Sequence, residues 1–230
     1  MRDTYRETPN RGGPTVGRVF FSIMSFAAAI VATAAVTVQI YEQWAAGQFV
    51  LEEYFSGFSF QVSTGLIVVL IASGIYGLQS ERDSLALAGA RAAFVSYGVV
   101  IATMYLAMPG SGIVDPVPLG EMEWPVLVEY TILPSYLVLD WIFNSRRTAL
   151  PWWTVLTAVS YPAVWLGIVI ALGMRTGWYP YPALTPSEDK GMENILIFSA
   201  GAAVLLLVAI IATLLINRIH AVISPDNTSR

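Results

Sequence analysis

The sequence predicts an all-α, polytopic membrane protein with six transmembrane helices in one bundle, and three observations carry that expectation. Six apolar stretches fill most of the 230 residues, roughly Val19–Tyr41, Ser56–Leu78, Leu85–Met108, Pro125–Phe143, Leu150–Leu172 and Met192–Ile216. Each is about 19 to 25 residues long, and about 20 helical residues cross a bilayer's hydrocarbon core. Hydrophobic residues make up 56 % and charged residues 12 %, too few charges to coat a soluble domain of this size. The runs are continuously apolar and do not alternate, which excludes the strands of a membrane barrel.

Residues 1–17, with Pro9, Gly12, Gly13 and Pro14, read as a disordered cytoplasmic arm. Residues 18–217 form the bundle and 218–230 a cytoplasmic tail whose end, Ser224–Arg230, is again polar and disordered. The first apolar run is Ala-rich and follows a basic start, as a signal peptide would. At about 23 residues it exceeds the 7 to 15 of a signal core, so it is expected to be retained as a helix.

The second helix opens with small polar side chains: Ser56, Ser59, Gln61, Ser63 and Thr64. In lipid such groups bond to a neighbouring helix or to their own carbonyls. The functional alternative makes Ser59 a nucleophile or part of a polar cavity, and a serine nucleophile needs a nearby base. Ionisable side chains inside a span are costly and seek partners or water. Arg91, near the start of the third helix, and Asp140, near the end of the antiparallel fourth, fall at matching depth. They are expected to form a structural ion pair that fixes helix register.

Glu129 lies eleven residues before Asp140, which places both within about 20° on one face of an uninterrupted helix. Tyr136 shares that face, and Pro134 is expected to kink the helix between them. An equally open reading leaves Glu129 hydrated in the headgroup zone, one turn from Trp124 and Pro125. The fifth helix ends in Thr176-Gly177-Trp178-Tyr179-Pro180-Tyr181-Pro182, a stiff segment whose Trp178, Tyr179 and Tyr181 read as an aromatic anchor in the outer headgroup layer. The single histidine, His220, follows the sixth helix and reads as a solvated residue.

Charge sets the expected orientation. Ten of the twelve basic residues, Arg2, Arg6, Arg11, Arg18, Arg82, Arg91, Arg146, Arg147, Arg218 and Arg230, fall on one side of the alternating spans. The other side holds Arg175 and Lys190, with Glu52, Glu53, Asp115, Glu121 and Glu123 in its other two loops. The excess of Arg on one side predicts a cell-membrane protein with both termini in the cytoplasm. The chain has no cysteine, hence no disulfide, thiolate nucleophile or thiolate metal site. No phosphate loop, dinucleotide fingerprint or histidine-based metal motif is found, so neither cofactor nor metal is expected. No nucleic acid is expected as partner, and the sequence names no protein partner.

Two groups of residues carry a family resemblance across the second to fifth helices. Tyr54-Phe55-Ser56-Gly57-Phe58-Ser59-Phe60-Gln61 resembles the aromatic, hydroxyl-bearing start of helix 2 in the androgen-induced-gene (FAR-like) family of six-helix membrane proteins. Ile132-Leu133-Pro134-Ser135-Tyr136-Leu137-Val138-Leu139-Asp140-Trp141 and the Thr176–Pro182 run resemble its helix 4 and its fifth-to-sixth loop. In the bacterial branch helix 4 often ends in a similar Leu-Asp-Trp. The resemblance implies a lipid ester hydrolase acting on fatty acid esters of hydroxy fatty acids, with a membrane-embedded threonine and a histidine. The threonine position falls on Ser59, and the histidine position on Tyr130 or Glu129; neither is histidine.

Three functions follow as expectations. The first is a non-catalytic protein of the membrane that binds lipid or supports a partner. The second is a membrane-embedded hydrolase of fatty-acyl esters using Ser59 with Glu129 or Tyr130. The third is a small transporter or channel lined by Glu129 and the hydroxyls of helix 2, although matched Gly/Pro interruptions and an internal repeat are lacking.

Overall fold

The computed structural model describes residues 14–107, 120–144, 146, 148–186 and 192–223. Expectations that fall on residues 1–13, Asp115, Arg147, Lys190 and 224–230 lie outside the described residues. Among the described residues the architecture is all-helical, and six helices are long and apolar enough to cross a membrane. The chain is a multi-pass membrane protein.

The first span is α1 (Val16–Ala45), followed by one and a half turns of α2 (Leu51–Ser56). The next two are α3 (Phe58–Gln79) and α4 (Leu85–Ala107). The fourth span runs through α5 (Trp124–Leu127), a π-helical turn at Val128–Ile132, and α6 (Leu133–Phe143). The last two are α7 (Thr154–Thr176) and α8 (Glu193–Ile223). Position 220, expected beyond the last helix, is therefore still helical. An even number of spans returns the chain to its starting end. The end where α1 begins and α8 finishes is called the near end, and the opposite one the far end.

In lipid, helix association comes from close packing and interhelical hydrogen bonds, because acyl tails are as apolar as leucine. The α1–α3 contact shows this. The buried face of α1 is Ser22, Ser25, Ala29, Ala32 and Ala35, small residues at three- and four-residue steps. Across from it, the Phe26 ring sits where a side chain at Gly74 would be. The central helix is α4: over its most apolar 18 residues 56 % are buried, against 11 % in α7. It packs against α3, α6, α7 and α8. Large apolar side chains such as Val68, Leu156, Leu196 and Val204 stay exposed, as lipid-facing residues do. Exposed tryptophans mark both span ends, Trp44, Trp124 and Trp178 at the far end and Trp152 and Trp153 at the near end.

The fourth span departs from a kinked α-helix. Pro134 has no N–H for the Tyr130 carbonyl four residues earlier, and the chain answers with the widened turn Val128–Ile132 just before it. The wider turn takes up residues without advancing the helix by a full α-helical phase. Glu129 and Asp140 consequently do not present one stripe to one neighbour. Glu129 faces α1 and α3, while Asp140 faces α4.

Candidate functional site

The structure brings charged groups together at the near end and hydroxyls at the far end, and the two clusters differ in kind. At the near end Arg91 Nη2 donates to Asp140 Oδ2 at 2.5 Å, while its Nη1 donates to Asp83. Arg146 Nη1 lies 3.4 Å from Asp83 Oδ1, and Nη2 donates to the Ser73 carbonyl at 3.2 Å. Asn144 donates to Asp140 at 3.0 Å, and the Arg91 guanidinium stands 5.9 Å from the Trp141 ring. Two arginines and two aspartates, all buried, make a neutral set. Desolvation costs each charge several kcal/mol, so the set persists by mutual pairing. Burial lowers the pKa of Arg146 while Asp83 opposes the shift. The sequence pairs Arg91 with Asp140, but it offers Arg146 only as one of the basic residues of one side and does not single out Asp83. The turns fold back under the bundle and bury them.

At the far end Ser59 sits in the first turn of α3. Its N–H donates to the Tyr181 hydroxyl at 3.2 Å, and its Oγ lies 3.4 Å from the same hydroxyl. The Tyr130 hydroxyl donates to Ser59 Oγ at 3.5 Å. Ser59 thus lies between two phenols. Glu129 is held elsewhere: its Oε1 accepts from Ser63 Oγ at 2.6 Å and its Oε2 from Gln39 at 3.0 Å. Of the expected trio, Ser59 and Tyr130 are hydrogen-bonded, while Glu129 spends both oxygens on two neutral donors. Gln39 and Ser63 were not singled out as partners for Glu129, because only the tertiary arrangement brings α1, α3 and the π-helical turn to one point.

The aromatic loop also needs correction. Gly177 ends α7 in the left-handed region at φ 75°, where glycine meets no steric penalty, and its N–H caps the Gly173 carbonyl at 2.8 Å. The chain then doubles back, with the Tyr179 ring over Gly173. Trp178 stays exposed as an interfacial anchor would, but Tyr181 is 9 % exposed and packs with Leu184, Val169 and Ile195. Tyr181 is therefore a wall of the site. Burial pushes its phenol up, so it stays protonated, able to accept the Ser59 N–H and to donate its own proton.

Two cavities share walls at this point. One, of about 220 Å³, is apolar and lies among α4, α7 and α8, with Val100, Met104, Leu166, Phe198, Ala203 and Leu206 in its walls. The other, of about 540 Å³, lies at the far end and is lined by carboxylates, glutamines and aromatic rings. Ser59 and Tyr181 belong to the walls of both. The hydroxyls of Ser59 and Tyr181 thus form a waist shared by a dry compartment and a polar one, and this suits a molecule with the same division. Compared with known proteins, the chain matches no family model, no curated protein and no solved structure.

Proposed function

We propose that the chain is a non-catalytic, lipid-binding protein of the cell membrane that holds a single-chain amphiphile across the Ser59–Tyr181 waist. The observation that carries this reading is the shared wall: the same two residues bound an apolar cavity and a polar one. Burying an alkyl chain gains about 0.8 kcal/mol per CH₂ relative to water. A chain already in lipid gains little of that, so selectivity has to come from the polar end. The resemblance to the androgen-induced-gene family supports a lipid ligand, and the excess of arginine at the near end supports cytoplasmic termini.

A fatty-acyl ester hydrolase is the second reading, favoured by the access of the Ser59 hydroxyl to both cavities. Activation of that hydroxyl needs a base. Its hydrogen-bonding neighbours are two phenols, and the Glu129 carboxylate is bonded to Ser63 and Gln39. That geometry favours binding over turnover.

The test is binding of a fluorescent fatty amphiphile to the purified chain in neutral detergent. Ala203, on the exposed rim of the apolar cavity, is replaced by tryptophan to fill it. Ala203→Trp should abolish binding, and binding that survives overturns the reading. Hydrolysis of a fatty-acyl ester by the wild type, lost in folded Ser59→Ala, would decide for the hydrolase.

A further inference from the structure

We propose that the polar cavity takes a bulky organic cation, so that the ligand is an amphiphile with an alkylammonium head. The proposal rests on the two-cavity reading and deepens it. Its first support is the cavity's own chemistry. Glu42, Glu53, Glu123 and Glu129 are in its walls, and no lysine or arginine is among them. Three of these acids are exposed, and by themselves they would be a hydrated acidic surface.

The second support is the position of Glu129. It sits on the π-helical turn, inside a membrane span, and its only hydrogen-bond partners among the described residues are the neutral Ser63 and Gln39. Hydrogen bonds from neutral donors do not cancel a charge. A carboxylate drawn into a bundle ordinarily acquires an arginine or lysine, as Asp83 and Asp140 do at the near end. Glu129 has none from the described protein, and it faces a cavity.

The third support is the aromatic lining. Tyr54, Tyr130, Trp178, Tyr179 and Tyr181 share these walls. Aromatic faces attract cations through the ring quadrupole, and cages of such rings are the familiar receptor for quaternary ammonium groups. Tyr54 adds a buried hydroxyl with no hydrogen-bond partner. A small metal ion fits the site poorly, because no three metal-ligating side chains converge among the described residues. Dispersed carboxylates around a wide aromatic cavity match a large, weakly hydrated cation. The waist at Ser59 and Tyr181 then lies beside the bonds that join head to chain.

The probes are dodecyltrimethylammonium, dodecanol and laurate, sharing one chain length and carrying cationic, neutral and anionic heads. Each is titrated below micelle formation into the full chain in neutral detergent, with affinity read by competition against the fluorescent amphiphile. The expected order is trimethylammonium, then dodecanol, then laurate, with at least about a tenfold step between the first two. Tetramethylammonium, titrated alone against the same amphiphile, separates a free cation from a chain-borne one; displacement as effective as that by the dodecyl compound overturns the amphiphile assignment.

Glu129→Gln should shrink the trimethylammonium-to-dodecanol affinity ratio by about tenfold. Glu129 also braces helices, so the combined change Glu53→Gln with Glu123→Gln, both on the exposed rim, guards against misfolding and should shrink the ratio severalfold. Equal affinity for the three heads, or a ratio unmoved by both variants, overturns the cationic head. Ala203→Trp separates the two proposals. If it abolishes binding while head preference is absent, the amphiphile site stands and the cation falls. If all three probes bind Ala203→Trp as they bind wild type, the two-cavity reading falls with it.

Discussion

Arg146 reaches α3 because position 77 is glycine. Its guanidinium lies so close to that backbone that a Cβ on Gly77 would come within 2.6 Å of Nη1. From there Nη2 bonds the Ser73 carbonyl at 3.2 Å, and Arg18 Nε bonds the Gly77 carbonyl at 3.2 Å. Gly77→Ala should therefore destabilise the protein by about 1–3 kcal/mol, the usual range for overpacking a filled site. The added methyl would meet the Ser22 hydroxyl as well as this buried charge. Gly201→Ala, on the exposed face of α8 with nothing within 4 Å, is the control and should be neutral or slightly stabilising. Denaturation in a mild detergent compares them. Equal stabilities for the two variants would mean that the Arg146 seat contributes nothing.

The charge set makes a second, directional prediction. Arg91 stands between Asp83 and Asp140, so its removal leaves two carboxylates of the set against one cation, Arg146. Arg91→Ala should cost about 3–5 kcal/mol, as losing one partner of a buried pair does. Asp140→Ala unbalances the set in the opposite sense and should also destabilise it. The double change Arg91→Ala with Asp140→Ala restores neutrality around the remaining Asp83–Arg146 pair. It should be more stable than either single variant. A double variant as unstable as the sum of the singles would show that these charges act independently.

The proposed orientation has its own check, simplified because the chain has no cysteine. Ser80 follows α3 at the near end, and Gln48 lies exposed between α1 and α2 at the far end. With the near end in the cytoplasm, Ser80→Cys in intact cells should resist an impermeant thiol reagent and Gln48→Cys should react. Detergent lysis should expose both. The reverse labelling pattern would invert the protein in its membrane.

The six spans were legible because crossing lipid imposes a length and an apolar composition that no other demand imitates. Arg91 and Asp140 could be paired from depth alone, since two antiparallel helices of known start bring them level. Asp83 and Arg146 could not. A charge in a short turn is ordinarily solvated, and only the folded chain shows that these turns tuck beneath the bundle. The partners of Glu129 were hidden for another reason. Phase arguments along a helix assume constant pitch, and the turn before Pro134 breaks that assumption. The inward turn of Tyr181 depends on Gly177 and on the space left by Gly173, neither of which an aromatic-rich loop advertises in sequence.

Tyr181 gives the last prediction. The first N–H groups of any helix lack intrahelical partners, and α3 begins without a side-chain cap from its own Gly57. The Tyr181 hydroxyl supplies one from the far side of the chain, accepting the Ser59 N–H at 3.2 Å. Tyr181→Phe keeps the ring, and with it the packing against Leu184 and Ile195, but leaves that amide unpaired. An unmet buried donor costs about 1–3 kcal/mol, so the variant should lose stability in that range. Hydrogen exchange should also quicken at the Ser59 amide and through residues 177–184, because the Tyr181 hydroxyl ties the loop to the helix. Tyr181→Ala should lose more, since it removes the packing of the ring against Leu184 and Ile195 as well as the hydroxyl. Wild-type stability and exchange in Tyr181→Phe would mean that the loop is held by ring packing alone, and that the waist needs no hydroxyl from this side.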